Sequence, residues 1–120
     1  MLKKRLLSFK YAFQGLIDLF STQPNAVFHL FSSIIVIVLG FYLDVSNTEW
    51  CLLILCIVLV ISAEAFNTSL EYLTDLVSPE HHPLAGKTKD VAAGAVLVIA
   101  IGALIIGTII FLPKILYIIK

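Results

Sequence analysis

The sequence predicts an all-α membrane protein: an N-terminal amphipathic surface helix followed by three transmembrane helices, in a single membrane domain over residues 1–120. Three observations lead there. Of 120 residues, 60% are hydrophobic and 13% charged, against about 25% charged in an ordinary soluble domain. Such a surface would be too apolar for water. Three long apolar runs follow one another through short polar connections. The first twenty residues, by contrast, place their apolar side chains at helical spacing rather than in one block.

The first element is an interfacial helix over residues 2–22. At 100° per residue, Leu2, Leu6, Phe9, Phe13, Leu16, Ile17 and Phe20 share an arc of about 100°, with Lys3, Lys10 and Gln14 opposite. That pattern suits a helix lying on anionic headgroups, its apolar face towards the acyl chains. A basic start with no uninterrupted apolar core and no small-residue cleavage site argues against a secretory signal.

Spanning helices are expected over 26–43, 50–77 and 91–112. At 1.5 Å per residue the first is about 27 Å long and the third about 33 Å, close to the hydrocarbon thickness. The second, about 42 Å, is longer than the bilayer needs, so its C-terminal end should leave the hydrocarbon. The segment Asp44–Glu49 joins the first two spans, with Trp50 as an interface anchor. Residues 78–90 join the second and third, broken by Pro79 and Pro83, and Pro113 is expected to end the third. Cys51 and Cys56 lie five residues apart on different helix faces and read as small apolar side chains.

Basic residues set the orientation. Lys3, Lys4, Arg5, Lys10, Lys87 and Lys89 fall on one side and only Lys114 and Lys120 on the other, which puts the N-terminus and the 78–90 segment in the cytoplasm. The third span is rich in small residues, among them Gly94, Gly102 and Gly107, which allow close helix approach in lipid. Three short spans can hardly enclose a site alone, so a homo-oligomer is expected.

The second span carries the chemistry. Glu64, Asn67, Glu71 and Asp75 occur at spacings of 3, 4 and 4, which places all four within an arc of about 80° and over about 16 Å of helix. Ionisable groups near hydrocarbon are costly and mark functional positions. Three carboxylates on one stripe also repel one another, so a divalent cation, a basic side chain or a proton must offset them. Hard divalent cations prefer such oxygen ligands. Alternatively, the stripe is a solvated helix end with one protonated Glu, a reading that suits Asp75 better than the deeper Glu64. The following segment adds Glu80, His81, His82, Lys87, Lys89 and Asp90, and lysines beside carboxylates suit a metal-chelated polyphosphate. Gly86-Lys87-Thr88 is not a phosphate loop, because His81 stands where that motif needs its first Gly.

The run Glu64-Ala-Phe-Asn67-Thr-Ser-Leu-Glu71-Tyr-Leu-Thr-Asp75 resembles the signature of the prokaryotic diacylglycerol kinase family. So do Glu80-His81-His82, the run Lys89-Asp90-Val-Ala-Ala-Gly-Ala-Val, and Phe9-Lys10-Tyr11-Ala12-Phe13-Gln14-Gly15 near the start. The resemblance covers nearly the whole chain in order. It implies a trimeric kinase of the bacterial cytoplasmic (inner) membrane that moves the γ-phosphoryl group of ATP to a lipid hydroxyl. Diacylglycerol, giving phosphatidic acid, is the expected acceptor and undecaprenol the alternative. It further implies Glu64 as general base, Asn67 as the residue that orients its neighbours, Mg2+ on Glu71, and ATP on Tyr11, Glu80, His81, His82, Lys89 and Asp90, with Lys4 nearby. Asp75 falls at the nucleotide edge of the stripe. No nucleic acid partner is expected.

One departure stands out. The family usually has a Glu at the end of the surface helix that shares the metal with the position of Glu71; here it is Gln23. An amide carbonyl can coordinate but brings no charge, so weaker magnesium binding is expected. Val27 likewise replaces a residue that is often basic in relatives. Two other readings follow from the same residues: a degenerate, non-catalytic membrane protein that binds nucleotide or metal, and a small proton or cation carrier. The cluster of Lys89, Asp90 and the two histidines fits the carrier poorly.

Overall fold

A computed structural model describes residues 1–120. The chain forms four helices and no strands: α1 (Leu2–Thr22), α2 (Pro24–Tyr42), α3 (Asn47–Val77) and α4 (Pro83–Ile119). The last three are long and apolar enough to cross a membrane.

A single residue separates α1 from α2. Gln23 is extended, with φ −110° and ψ 104°. The cause lies one residue on: Pro24 disfavours helical geometry in the residue before it, yet suits the first position of a new helix, where its missing N–H costs nothing. The first span therefore begins at Pro24, two residues earlier than the apolar run suggests.

At the opposite end, α2 turns into α3 through Leu43–Ser46. Asp44 takes a left-handed conformation, φ 51°, which Asp tolerates better than most residues. Ser46 and Glu49 then cap α3 reciprocally: the Ser46 N–H donates to Glu49 Oε2 at 2.8 Å and the Glu49 N–H to Ser46 Oγ at 3.2 Å. Trp50 lies flat over Gly40, where a Cβ would come within 2.5 Å of the indole ring. Val45, Leu53, Ile110 and Phe111 form the buried core beneath this turn. Lys114 of α4 closes the same end on Glu49, at 3.2 Å.

Two expectations about proline are corrected. Pro83 does not break the second connection; it occupies the first turn of α4, so the connection shrinks to residues 78–82. His82 caps that helix, its Nδ1 accepting from the Leu84 N–H at 3.1 Å. Nor does Pro113 end the third span: α4 runs through it to Ile119. An apolar helix has no water to satisfy the groups that unwinding would expose, so one lost backbone bond is the cheaper outcome. At 37 residues, α4 is about 55 Å long and overruns the hydrocarbon.

Helices α3 and α4 make the most extensive pairing, and α1 touches α2 and α3 only near its C-terminal end. Only 13 of 120 residues are buried. Phe28, Ile35, Val38, Phe66, Leu104 and Ile109 all point outwards, an apolar exterior that requires lipid or further protein around it.

Candidate functional site

The polar stripe of α3 is built as its spacing predicts, but its members face different neighbours. Glu64 is 3% exposed. It turns towards α2, where His29 places Nε2 3.2 Å from Glu64 Oε1. One turn further on, the Asn67 amide donates to Glu71 Oε1 at 3.3 Å. Asn67 Oδ1 is buried without a partner.

Thr68 joins the stripe between Glu64 and Glu71. The hydroxyls of Thr22, Thr74, Thr88 and Thr108 each donate to the carbonyl four residues earlier, the usual outlet for Thr in a helix. Thr68 does not, and its buried Oγ1 has no partner. Two unpartnered polar atoms thus lie beside Glu64 and Glu71. Buried polar atoms in a folded protein are normally hydrogen-bonded, so this pair leaves two hydrogen-bonding positions open beside the carboxylates.

Helix α1 reaches α3 at Tyr72, next to Glu71 in the chain. Its hydroxyl donates to Asp18 Oδ2 at 2.7 Å and lies 3.3 Å from Thr22 Oγ1. Gln23 donates its side-chain amide to Thr22 Oγ1 at 3.1 Å. The end of α1, with Gln23, is therefore tied to the turn of α3 that carries Glu71. No three carboxylate, imidazole or thiol groups converge within the chain. A magnesium ion held by Glu71 and Gln23 would thus draw its remaining ligands from water and phosphate, as this ion commonly does.

At the far end of the stripe, Asp75 pairs with Lys89 of α4 at 2.5 Å. The hydrogen bond to Asp75 holds the Lys89 ammonium above its ordinary pKa, opposed by desolvation and aided by the charges of Asp75 and Glu71. Tyr11, Glu80, His81 and Asp90 are exposed, and no side-chain bond ties them to the stripe. His82 is engaged as the cap of α4. Lys4 lies on the exposed first turns of α1. The structure thus gathers Glu64, Asn67, Glu71 and the Asp75–Lys89 pair along α3, ties Gln23 only to Thr22, and leaves the other predicted nucleotide residues open to solvent.

Four residues of this arrangement, His29, Thr68, Asp18 and Tyr72, were not singled out from the sequence. His29 carried a usable signal, being an ionisable residue inside an apolar span. Below it a groove of about 660 Å³ runs between α2, α3 and α4, lined by His29, Ser32, Val60, Leu104 and Phe111 among others.

The model of the prokaryotic diacylglycerol kinase family matches residues 10–111. The undecaprenol kinase of Bacillus subtilis (strain 168) is 42% identical over 107 residues, 89% of this chain and 87% of that protein. The diacylglycerol kinase of Synechocystis sp. is 41% identical over 92% of this chain, which spans 64% of that longer relative. The diacylglycerol kinase of Haemophilus influenzae is 31% identical, covering 87% of this chain and 89% of its own length. With the helices in the same order as the matched motifs and the acidic stripe on the second span, the chain belongs to the prokaryotic diacylglycerol kinase family of membrane lipid kinases.

Proposed function

We propose that the chain transfers the γ-phosphoryl group of ATP to the hydroxyl of a membrane lipid at the cytoplasmic face, with diacylglycerol as acceptor and phosphatidic acid as product. The observation that carries this reading is the buried Glu64 carboxylate, which has one protein partner and lies one turn from the unpartnered Asn67 Oδ1 and Thr68 Oγ1. Glu64 takes the proton of the lipid hydroxyl as that oxygen bonds to the γ-phosphorus and the bond to the β-phosphate oxygen breaks, releasing ADP. Asn67 holds Glu71 in place through its amide. Glu71 and the Gln23 carbonyl would hold Mg2+, which would supply charge neutralisation at the phosphates. The orphaned Asn67 oxygen beside Glu71 fits such a group.

ATP binds at the cytoplasmic end, over Tyr11, Asp75, Glu80, His81, His82, Lys89 and Asp90. Phosphoryl transfer needs mainly positioning and charge stabilisation, and Lys89, protonated throughout the neutral range, supplies a cation there. Helix α1 rests its apolar face, Leu2, Leu6, Phe9, Phe13 and Ile17, in the cytoplasmic leaflet of the inner membrane; these side chains are exposed in the single chain. The chain assembles as a homotrimer within that membrane, which would cover part of the apolar faces that the single chain leaves exposed.

Undecaprenol is the second reading for the acceptor, favoured by the 42% identity to the Bacillus subtilis undecaprenol kinase. Both lipids present one hydroxyl on a long apolar body, which suits the groove below His29. Purified protein supplied with labelled ATP and Mg2+ should transfer label to one of the two lipids, and Glu64→Gln should abolish it. Nucleotide binding without any lipid product would instead support a non-catalytic relative.

A further inference from the structure

Glu64 has a protein partner that proton transfer from the lipid does not itself require. Glu64 is almost completely buried, and His29 is the only side chain that bonds it. A carboxylate acting as base is ionised and can only accept hydrogen bonds. The His29 nitrogen at 3.2 Å from Oε1 must therefore carry the proton, so the imidazole donates through Nε2.

This contact spans two helices. Glu64 stands 35 positions beyond His29 in the chain, and the pair fixes the carboxylate from α2 while α3 supplies it. With Oε1 engaged, Oε2 is the oxygen left to meet a hydroxyl. A glutamate has three rotatable side-chain bonds, and one anchored oxygen removes most of that freedom. His29 also lines the apolar groove between α2, α3 and α4, whereas Glu64 does not. The imidazole thus stands where the groove meets the carboxylate. Ser33, one turn along α2, turns away from this contact and gives its hydroxyl to the His29 carbonyl at 2.7 Å.

We propose that His29 is a positioning residue for lipid phosphorylation: its Nε2–H anchors Glu64 Oε1 and presents Oε2 to the lipid hydroxyl at the head of the groove. The proposal rests on Glu64 being the base. His29 itself takes no proton from the lipid; the hydroxyl proton goes to Glu64, and the imidazole stays a hydrogen-bond donor throughout.

The test separates anchoring from packing. His29→Leu keeps the bulk and removes the donor; His29→Gln puts an amide N–H near the place of Nε2. Misplacing a reacting group by about 1 Å can cost about 100-fold in rate. The leucine variant should therefore lose about 10- to 100-fold in kcat, with KM for ATP and lipid within about twofold of the parent. The glutamine variant should recover to within about threefold of the parent kcat. Equal losses in both variants, or a leucine variant at the parent rate, would overturn the proposal.

A second measurement needs no turnover. In protein labelled with 15N-histidine and held in detergent, the His29 Nε2 resonance should move in Glu64→Gln relative to the parent. An unmoved resonance overturns the pairing. If the parent protein phosphorylates no lipid, the proposed function fails, and the resonance still decides whether His29 holds Glu64.

Discussion

Tyr72 of α3 donates its hydroxyl to Asp18 of α1 at 2.7 Å and also meets Thr22, so one phenol fastens α1 to α3. Little else holds α1 down: Leu19 is its only buried residue. The hydrogen bond is exposed to solvent and is worth about 1 kcal/mol. Tyr72→Phe keeps the ring and deletes the donor. The expected result is faster amide exchange over α1, by up to about fivefold, with α3 unchanged. Exchange measured by mass spectrometry in detergent checks it; unchanged protection of α1 would mean that contacts other than the Tyr72 hydroxyl fix the helix.

At the other end of the molecule the turn between α2 and α3 depends on a missing side chain. A Cβ on Gly40 would sit 2.5 Å from one indole carbon of Trp50 and 2.8 Å from another. Gly40→Ala must push the ring out of its place against Phe41 and the core around Val45. Overpacking of this kind costs about 1–3 kcal/mol. Thermal unfolding in detergent should show a lower midpoint for Gly40→Ala, and adding Trp50→Leu should recover part of the loss because the obstructing ring is gone. A double variant that is no better than Gly40→Ala alone would place the strain elsewhere.

The Lys89–Asp75 pair makes a prediction about pH. Its hydrogen bond raises the Lys89 pKa, so its contribution is complete below the ordinary lysine value and is lost as pH rises through the raised one. Asp75→Asn removes the anion and lets Lys89 lose its proton at lower pH. If Lys89 contacts phosphate, the alkaline limb of ATP binding should move to lower pH in Asp75→Asn. Lys89→Met should raise KM for ATP about 10-fold or more, the scale of one lost charge-assisted hydrogen bond. An alkaline limb that stays put in Asp75→Asn would take Lys89 out of the nucleotide site.

The stripe was legible because it depends on one helix only. Spacings of 3, 4 and 4 determine that Glu64, Asn67, Glu71 and Asp75 share a face, and the structure keeps that face. His29 was not legible as the partner of Glu64, since pairing across helices depends on which faces of α2 and α3 meet, and apolar spans of similar composition do not encode that. Thr68 was hidden for another reason: a helical Thr normally bonds its own backbone, and only the structure distinguishes it from Thr74, Thr88 and Thr108, which do. Pro83 and Pro113 differ from expectation for a positional reason. Pro83 at the first turn starts a helix, and Pro113 inside an apolar helix is tolerated, although the residue type is the same.

Gln23 should limit the affinity for Mg2+. Pro24 forces it into the extended corner between α1 and α2, and its amide is occupied with Thr22. The corner is joined through Thr22 to Tyr72, the neighbour of Glu71. A carboxylate here would add a formal charge where the proposed site has one carboxylate and a neutral carbonyl, and affinity for hard cations rises with ligand charge. In Gln23→Glu the half-maximal Mg2+ concentration for lipid phosphorylation should fall by about tenfold, equivalent to about 1.4 kcal/mol, with KM for the lipid unchanged because the substitution lies at the metal and not at the groove. Magnesium titrations of both proteins at saturating ATP and lipid measure this directly. An unchanged midpoint would show that Gln23 holds no metal, and Glu71 would then bind it with ligands from water and phosphate alone.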